Sequence, residues 1–299
     1  MKPIAILEFP SNLGLKMPRK NHEPGVKKLP GWLKKYHFHD SIKPALVSGA
    51  KPPAYSGKVD SITGVRNSNE IIEYALQQEN ILKKTLVNGY FPIVIGGDCS
   101  IIIGNMLTLK NQGRYGLFFL DGHTDYMLPE LSQTAGSAGM DLAIVTGHGH
   151  DKLANIQNQK PYVKEEWVWC VGNREYHEGY VQPILESKIG YYDLKRLRKE
   201  GIEKCVDSFI KMVNDQNLDG FWIHIDVDVL DDNIMPAVDS RSQDGLSYKE
   251  FLEILRPLVF NPKAKGLEIT ILDPELDPGG KYTREFVSVF SNLINQYTS

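Results

Sequence analysis

The stretch YGLFFLDGHTDY, residues 115–126, decides how this chain reads. Apolar residues run unbroken from Leu117 to Leu120, and then Asp121, His123 and Asp125 fall at every second position. A near-continuous apolar run is the pattern of a strand covered on both faces, as in a parallel sheet. Two carboxylates and an imidazole at the end of such a strand either collect metal or sit together without compensation.

Similar apolar runs lie on either side: IAILEF (4–9), FPIVIGG (91–97), EWVWCVG (166–172), FWIHIDVDV (221–229) and GLEITIL (266–272). Between them the apolar residues recur with helical period. EIIEYALQQENILKKTLVNG puts Ile71, Ala75, Leu82 and Leu86 on one stripe and ends in Gly89. Residues 101–113, 205–216, 248–259 and 284–297 read the same way. Strands alternating with helices imply βαβ units, hence an α/β chain with a mostly parallel central sheet. Residues 10–68 are richer in Pro, Lys and Gly and read as loop lying over the sheet. No repeat or boundary divides the chain, so residues 1–299 read as one domain.

Bulk properties narrow the function. Lys plus Arg number 34 and Asp plus Glu 37, for a formal net charge of -3. No basic excess points to nucleic acid or an anionic membrane. No apolar run is long enough to span a bilayer, and the start MKPIAILEFP reads as a strand, not a signal peptide. Three cysteines, Cys99, Cys170 and Cys205, are too few for a disulfide framework and suit a reducing cytoplasm. Near-neutrality suits a small-molecule or protein partner, and a small-molecule substrate is the one expected.

Three motifs fall where strands end: IGGDCS (95–100), DGHTD (121–125) and DVDVLDD (226–232). Sites in open α/β sheets form at the carboxyl ends of strands. Three such ends can gather Cys99, Asp121, His123, Asp125, Asp226 and Asp228. Without a cation the carboxylates would raise each other's pKa; with two divalent ions they become ligands. Each fragment also has a structural reading. GGDCS alone could be a turn with Asp98 or Ser100 capping a helix, and DVDVLDD a polar strand end entering a turn. His224, two residues before Asp226, reads equally as a satisfied core histidine or as a group facing the metals.

In this order, GGD-x-S, D-x-H-x-D and D-V-D-x-L-D resemble the motifs of the ureohydrolase superfamily of arginase, agmatinase and formimidoylglutamase. The likeness runs over nearly the whole chain, from PSNLG near the start through MPAVDSRSQDGLSYKE (235–250) to GLEITILDP (266–274). It implies a three-layer α-β-α fold, a manganese pair, hydrolysis of a guanidino or formimino C–N bond, and a homo-oligomer, trimer or hexamer. Carried over by position, one metal takes Cys99, Asp121, Asp125 and Asp226. The other takes His123, Asp121, Asp226 and Asp228, so that Asp121 and Asp226 bridge. Asp125 could orient the shared hydroxide. Asn173, Glu175 and His177, in GNREYHEG, fall in a loop where relatives place polar substrate contacts, and His177 joins His224 as a catalytic candidate; a solvated loop residue is the alternative for His177.

The chain departs from the family at three places. Cys99 stands where the archetypal enzymes have His. A thiolate is a softer ligand and favours zinc, iron or nickel; alternatively Cys99 is a small buried residue. Ala138 takes the place of a loop histidine, and Ile271 that of the guanidinium-contacting glutamate. These losses argue against a true arginase and leave open a catalytically silent relative that binds or regulates. A metal hydrolase of another bond class, such as a deacetylase, fits the ordered motifs less well.

Overall fold

The computed structural model describes residues 2–298. Among them eight strands form one parallel sheet: β1 (Ile4–Glu8), β2 (Leu46–Gly49), β3 (Phe91–Ile95), β4 (Tyr115–Leu120), β5 (Val168–Val171), β6 (Gly190–Tyr192), β7 (Gly220–Asp226) and β8 (Ala264–Thr270). Their order is β2-β1-β3-β8-β7-β4-β5-β6. The six apolar runs all become strands. The two the sequence hid, β2 and β6, are short and lie at the edges; in β2 exposure alternates, with Val47 48% exposed, which removes the continuous apolar signature, and β6 has only three residues.

Helices cover both faces, which makes the three-layer α-β-α arrangement. Helices Ser68–Val87 and Ile102–Lys110 pack together on one face. Helices Ile202–Asp215, Tyr248–Val259 and Lys281–Thr298 follow one another across the other. Strand alternation sorts the side chains between them. Phe118 and Phe221 each meet Phe209 edge-on at 5.2 Å, in the layer of Ile202–Asp215. Their neighbours Phe119, His224 and Glu268 point to the layer of Ile102–Lys110, where Asn105 reaches Glu268. Parallel register lines these three up across β4, β7 and β8. Each fully buried Phe contributes on the order of 2–3 kcal/mol of transfer free energy.

The order also explains where a site can form. The chain leaves β3 for β4 by stepping over two positions that β8 and β7 fill later. Such a switch in strand order opens a crevice at the carboxyl ends. The ends of β3, β8, β7 and β4 are adjacent there, and the three motifs with the end of the last core strand occupy them. At Gly97 a Cβ would stand 1.7 Å from the Ser11 carbonyl oxygen, so only glycine lets the end of β3 pass under the segment that follows β1.

Candidate metal centre

Each motif leaves its strand by a turn, so the residues reach the site through loop geometry and not through continued strand alternation. β4 stops at Leu120; Asp121 Oδ1 accepts the His123 N–H at 2.6 Å, and Asp125 adopts φ 43°. β7 stops at Asp226, whose Oδ1 accepts the Asp228 N–H at 2.7 Å. Asp98 does what a turn reading of GGDCS predicts: it accepts the Ser100 N–H at 2.9 Å. It also accepts the Ser11 hydroxyl at 2.6 Å and the Gly14 N–H at 3.1 Å, so it fastens loops and stands apart from the metal candidates.

The remaining motif residues converge. His123 Nδ1 lies 2.9 Å from Asp228 Oδ2 and 3.7 Å from Asp121 Oδ1. Cys99 Sγ lies 3.1 Å from Asp226 Oδ2 and 3.0 Å from Thr270 Oγ1. His224 Nε2 lies 3.9 Å from Asp121 Oδ2. Three groups bring potential ligand atoms within 4.8 Å of one another: Asp121, His123 and Asp228; Cys99, Asp121 and His224; and Cys99, Asp125 and Asp141. Asp231 and Asp232, which close the third motif, turn away: Asp231 accepts the Asn233 N–H and Asp232 pairs with Arg241.

Burial and mutual repulsion set the electrostatics of this cluster. Burial, and then the charge of Asp228, raise Asp121 above the usual carboxylate range. Burial and the neighbouring carboxylates push Asp125, Asp141 and Asp226 up further, and burial with the Asp226 charge drives the Cys99 thiol up. His123 is raised in spite of its burial, because Asp228 and Asp121 face it. Asp228 alone among these carboxylates is lowered: burial opposes ionisation, but the His123 charge and hydrogen bond outweigh it, with Arg174 behind. Several buried polar atoms have no partner: Asp121 Oδ2, His224 Nε2 and both Asp141 oxygens. Unpaired buried acceptors facing one another are what a divalent ion would satisfy, so this donor set fits metal.

Sequence reasoning missed four participants. Asp141, fully buried, begins the short helix Asp141–Val145. Its signal was a lone charge in AGSAGMDLAIV, easily read as an acid at a helix start. Glu268 carried the same signal inside GLEITIL. Tyr180 accepts the Thr124 N–H at 2.8 Å, and Ser240 Oγ lies 3.2 Å from His123 Nε2; neither has a local pattern to betray it.

The substrate-loop candidates divide. Asn173 is fully buried, and its amide donates to the Glu175 carbonyl at 2.8 Å and the Tyr191 hydroxyl at 2.6 Å, which fixes the loop. Glu175 is half-buried and His177 exposed, at the start of helix Glu178–Glu186. The loop lies beside the metal candidates, since Arg174 N–H donates to the Gly122 carbonyl at 3.0 Å and its guanidinium to the Asp228 carbonyl at 2.7 Å. Ala138 and Ile271 are both buried, and Ile271 takes φ 75°, an uncommon conformation for a β-branched residue.

The model of the Arginase family matches residues 46–294. An arginase of Staphylococcus aureus is 28% identical over 234 residues, covering 78% of this chain and 77% of that protein. The crystal structure of arginase from Bacillus caldovelox superposes with a TM-score of 0.86 at 26% identity, covering 98% of each chain. The formimidoylglutamase of Bacillus subtilis shares the fold, with a TM-score of 0.75 at 18% identity over 99% of this chain and 87% of that one. Among the described residues no helix is long and apolar enough to cross a membrane.

Proposed function

The chain belongs to the arginase family, whose members are binuclear metal hydrolases acting on non-peptide C–N bonds of linear amidines, and from that premise we propose a metal-dependent ureohydrolase whose substrate is neither arginine nor agmatine. The observation that carries the reading is the paired arrangement around Asp121. One oxygen turns to His123 and the other, without a partner, to His224. A metal pair would be held here by His123 and Asp228 for one ion and Cys99 for the other, with Asp121 belonging to both groups. When bound, such a pair supplies a hydroxide near neutral pH.

The chain's own residues do the rest. Asp125 is placed to orient the attacking water, and Asp121 and Asp228 hold the His123 ring in position. Glu175 and His177 stand on the outward side of the loop that Asn173 braces, where they can take the polar end of a substrate. Nothing at Ile271 can pair with a guanidinium: the side chain is apolar and buried. A cation left unpaired in a desolvated pocket costs several kcal/mol, on the order of 3–5. This disfavours a guanidinium at that position and favours a differently placed amidine, such as a formimino group, over arginine.

The choice of metal follows the thiol. Manganese is the family's usual ion, and Cys99 favours zinc, iron or nickel at the position it serves. A homo-oligomer, a trimer or hexamer, is part of the same proposal and is tested by sedimentation.

The deciding experiment combines metal analysis of the purified protein with release of urea, ammonia or formamide from guanidino, formimino and amide compounds. Formamide or ammonia release from a formimino compound, with arginine and agmatine poor, is the expected result. Rapid urea release from arginine would overturn the substrate assignment. The second reading, a silent relative, is favoured by Ala138, where a methyl cannot shuttle protons; metal bound with no turnover across the panel would establish it.

A further inference from the structure

We propose that Cys99, Asp121 and His224 form a thiolate–carboxylate–imidazole metal site of their own, set deep against the sheet, and that Glu268 is its positioning residue. The site would hold zinc or another borderline ion, with the second ion of the pair at His123 and Asp228. This inference rests on the metal-dependent reading above.

The argument begins with His224. Its ring is fully buried and cannot swing, because it is stacked on Phe119 at 4.4 Å with an interplanar angle of 8°. Nδ1 lies 2.7 Å from Glu268 Oε1, and the other Glu268 oxygen accepts from Asn105. Both Glu268 oxygens are thus acceptors, and Nδ1 donates to one of them. Nε2 has no hydrogen-bond partner. It faces Asp121 Oδ2, also without one, at 3.9 Å, too long for a direct hydrogen bond. Buried polar atoms are normally hydrogen-bonded, and these two, both at zero exposure, are not. A satisfied core histidine has both ring nitrogens hydrogen-bonded; this one has a carboxylate bonded behind it and an open gap to Asp121 in front. The carboxylate–imidazole pair is the arrangement that orients metal-binding histidines and fixes their tautomer.

Cys99 supplies the third donor, within 4.8 Å of both other ligand atoms. One thiolate and one carboxylate would match the charge of a divalent ion, with Asp226 Oδ2, 3.1 Å from Cys99 Sγ, standing beside the set. Binding the ion displaces the Cys99 proton to solvent, and no electrons move. Sulfur and imidazole nitrogen together favour zinc or cobalt over manganese.

The test uses the wild-type protein first. Crystals soaked in zinc should show an anomalous peak between Cys99 Sγ, Asp121 Oδ2 and His224 Nε2, apart from any peak at His123 and Asp228. A peak only at His123 and Asp228 would overturn this inference and leave the hydrolase reading intact; no peak anywhere would overturn both. In solution, cobalt(II) added to the metal-free protein should develop a thiolate-to-metal band in the near ultraviolet. Cys99→Ser should abolish the band, and His224→Ala should lose one equivalent of metal while the His123 ion stays. Glu268→Gln should keep the band and weaken that equivalent about 10–100-fold. A band and stoichiometry unchanged in His224→Ala would refute the site.

Discussion

Glu268→Gln and Glu268→Ala remove the same buried charge but should differ about twofold in cost. Glu268, His224 and Asn105 are all fully buried, and Glu268 accepts one hydrogen bond from each of the other two. Asn105 Oδ1 has no partner. In Glu268→Gln the new amide oxygen still accepts from His224, and the new amide nitrogen meets Asn105. Turning the Asn105 amide over brings its idle oxygen to that nitrogen, but leaves the Asn105 Nδ2 donor without its acceptor. The loss is that one unpaired donor, about 1–3 kcal/mol, plus the difference between a charged and a neutral acceptor at His224, about 1–1.5 kcal/mol, for on the order of 2–4.5 kcal/mol. In Glu268→Ala two buried donors lose their acceptor at about 1–3 kcal/mol each, and a cavity adds about 2 kcal/mol, for on the order of 4–8 kcal/mol. For 299 residues, an unfolding entropy of about 2.1 cal/mol/K per residue amounts to about 0.6 kcal/mol/K. Thermal unfolding in chelator, which removes any metal contribution, should therefore place Tm about 3–7 °C below the parent for Glu268→Gln and about 6–13 °C below for Glu268→Ala. If the Gln variant falls as far as the Ala variant, the Asn105 amide does not turn over and the accounting is wrong. If the Ala variant matches the parent, the array holds nothing together.

The metal-free protein should lose stability as pH rises from about 5 to about 8. Asp121, Asp125, Asp141 and Asp226 all have raised pKa values in the folded state, so the folded chain holds more protons than the unfolded one above the ordinary carboxylate value of 3.8. Their contribution is complete below that value and is lost as pH climbs through the raised ones; Asp228, which is lowered, runs the other way. Calorimetry with and without zinc should show the gap widening with pH, because the ion replaces the protons; a metal-free Tm that rises over this range would contradict the assignment. Asp141→Ala should raise the metal-free Tm by a few degrees, since it removes a buried carboxyl with no partner worth about 1–3 kcal/mol, less some lost packing. A lower Tm would mean that Asp141 is paired after all. Gly97→Ala should cost at least about 1–3 kcal/mol, because its Cβ meets the Ser11 carbonyl at 1.7 Å and the backbone must move. Unchanged thermal unfolding would show that the close passage there is not tight.

The sequence by itself determined the architecture. Runs such as FPIVI and YGLFFL are buried along almost their whole length, and only a parallel sheet covered on both faces accepts such runs in series. It also marked the ends of β3, β4 and β7, because carboxylates that follow an apolar run have few structural uses. What it could not decide was which side chains meet. Alternation says that His224 and Glu268 each face one side of the sheet; that the two rows belong to adjacent strands in matching register follows only from the order β8-β7-β4. Asp141 was invisible for the same reason, since its neighbours Cys99 and Asp125 come from other segments of the chain. The turns after Leu120 and Asp226 likewise replaced simple alternation with loop geometry. Local sequence fixes periodicity and burial, which depend on residues a few positions away. Ligand sets and orphaned atoms depend on distances between segments far apart in the chain, and only tertiary packing sets those.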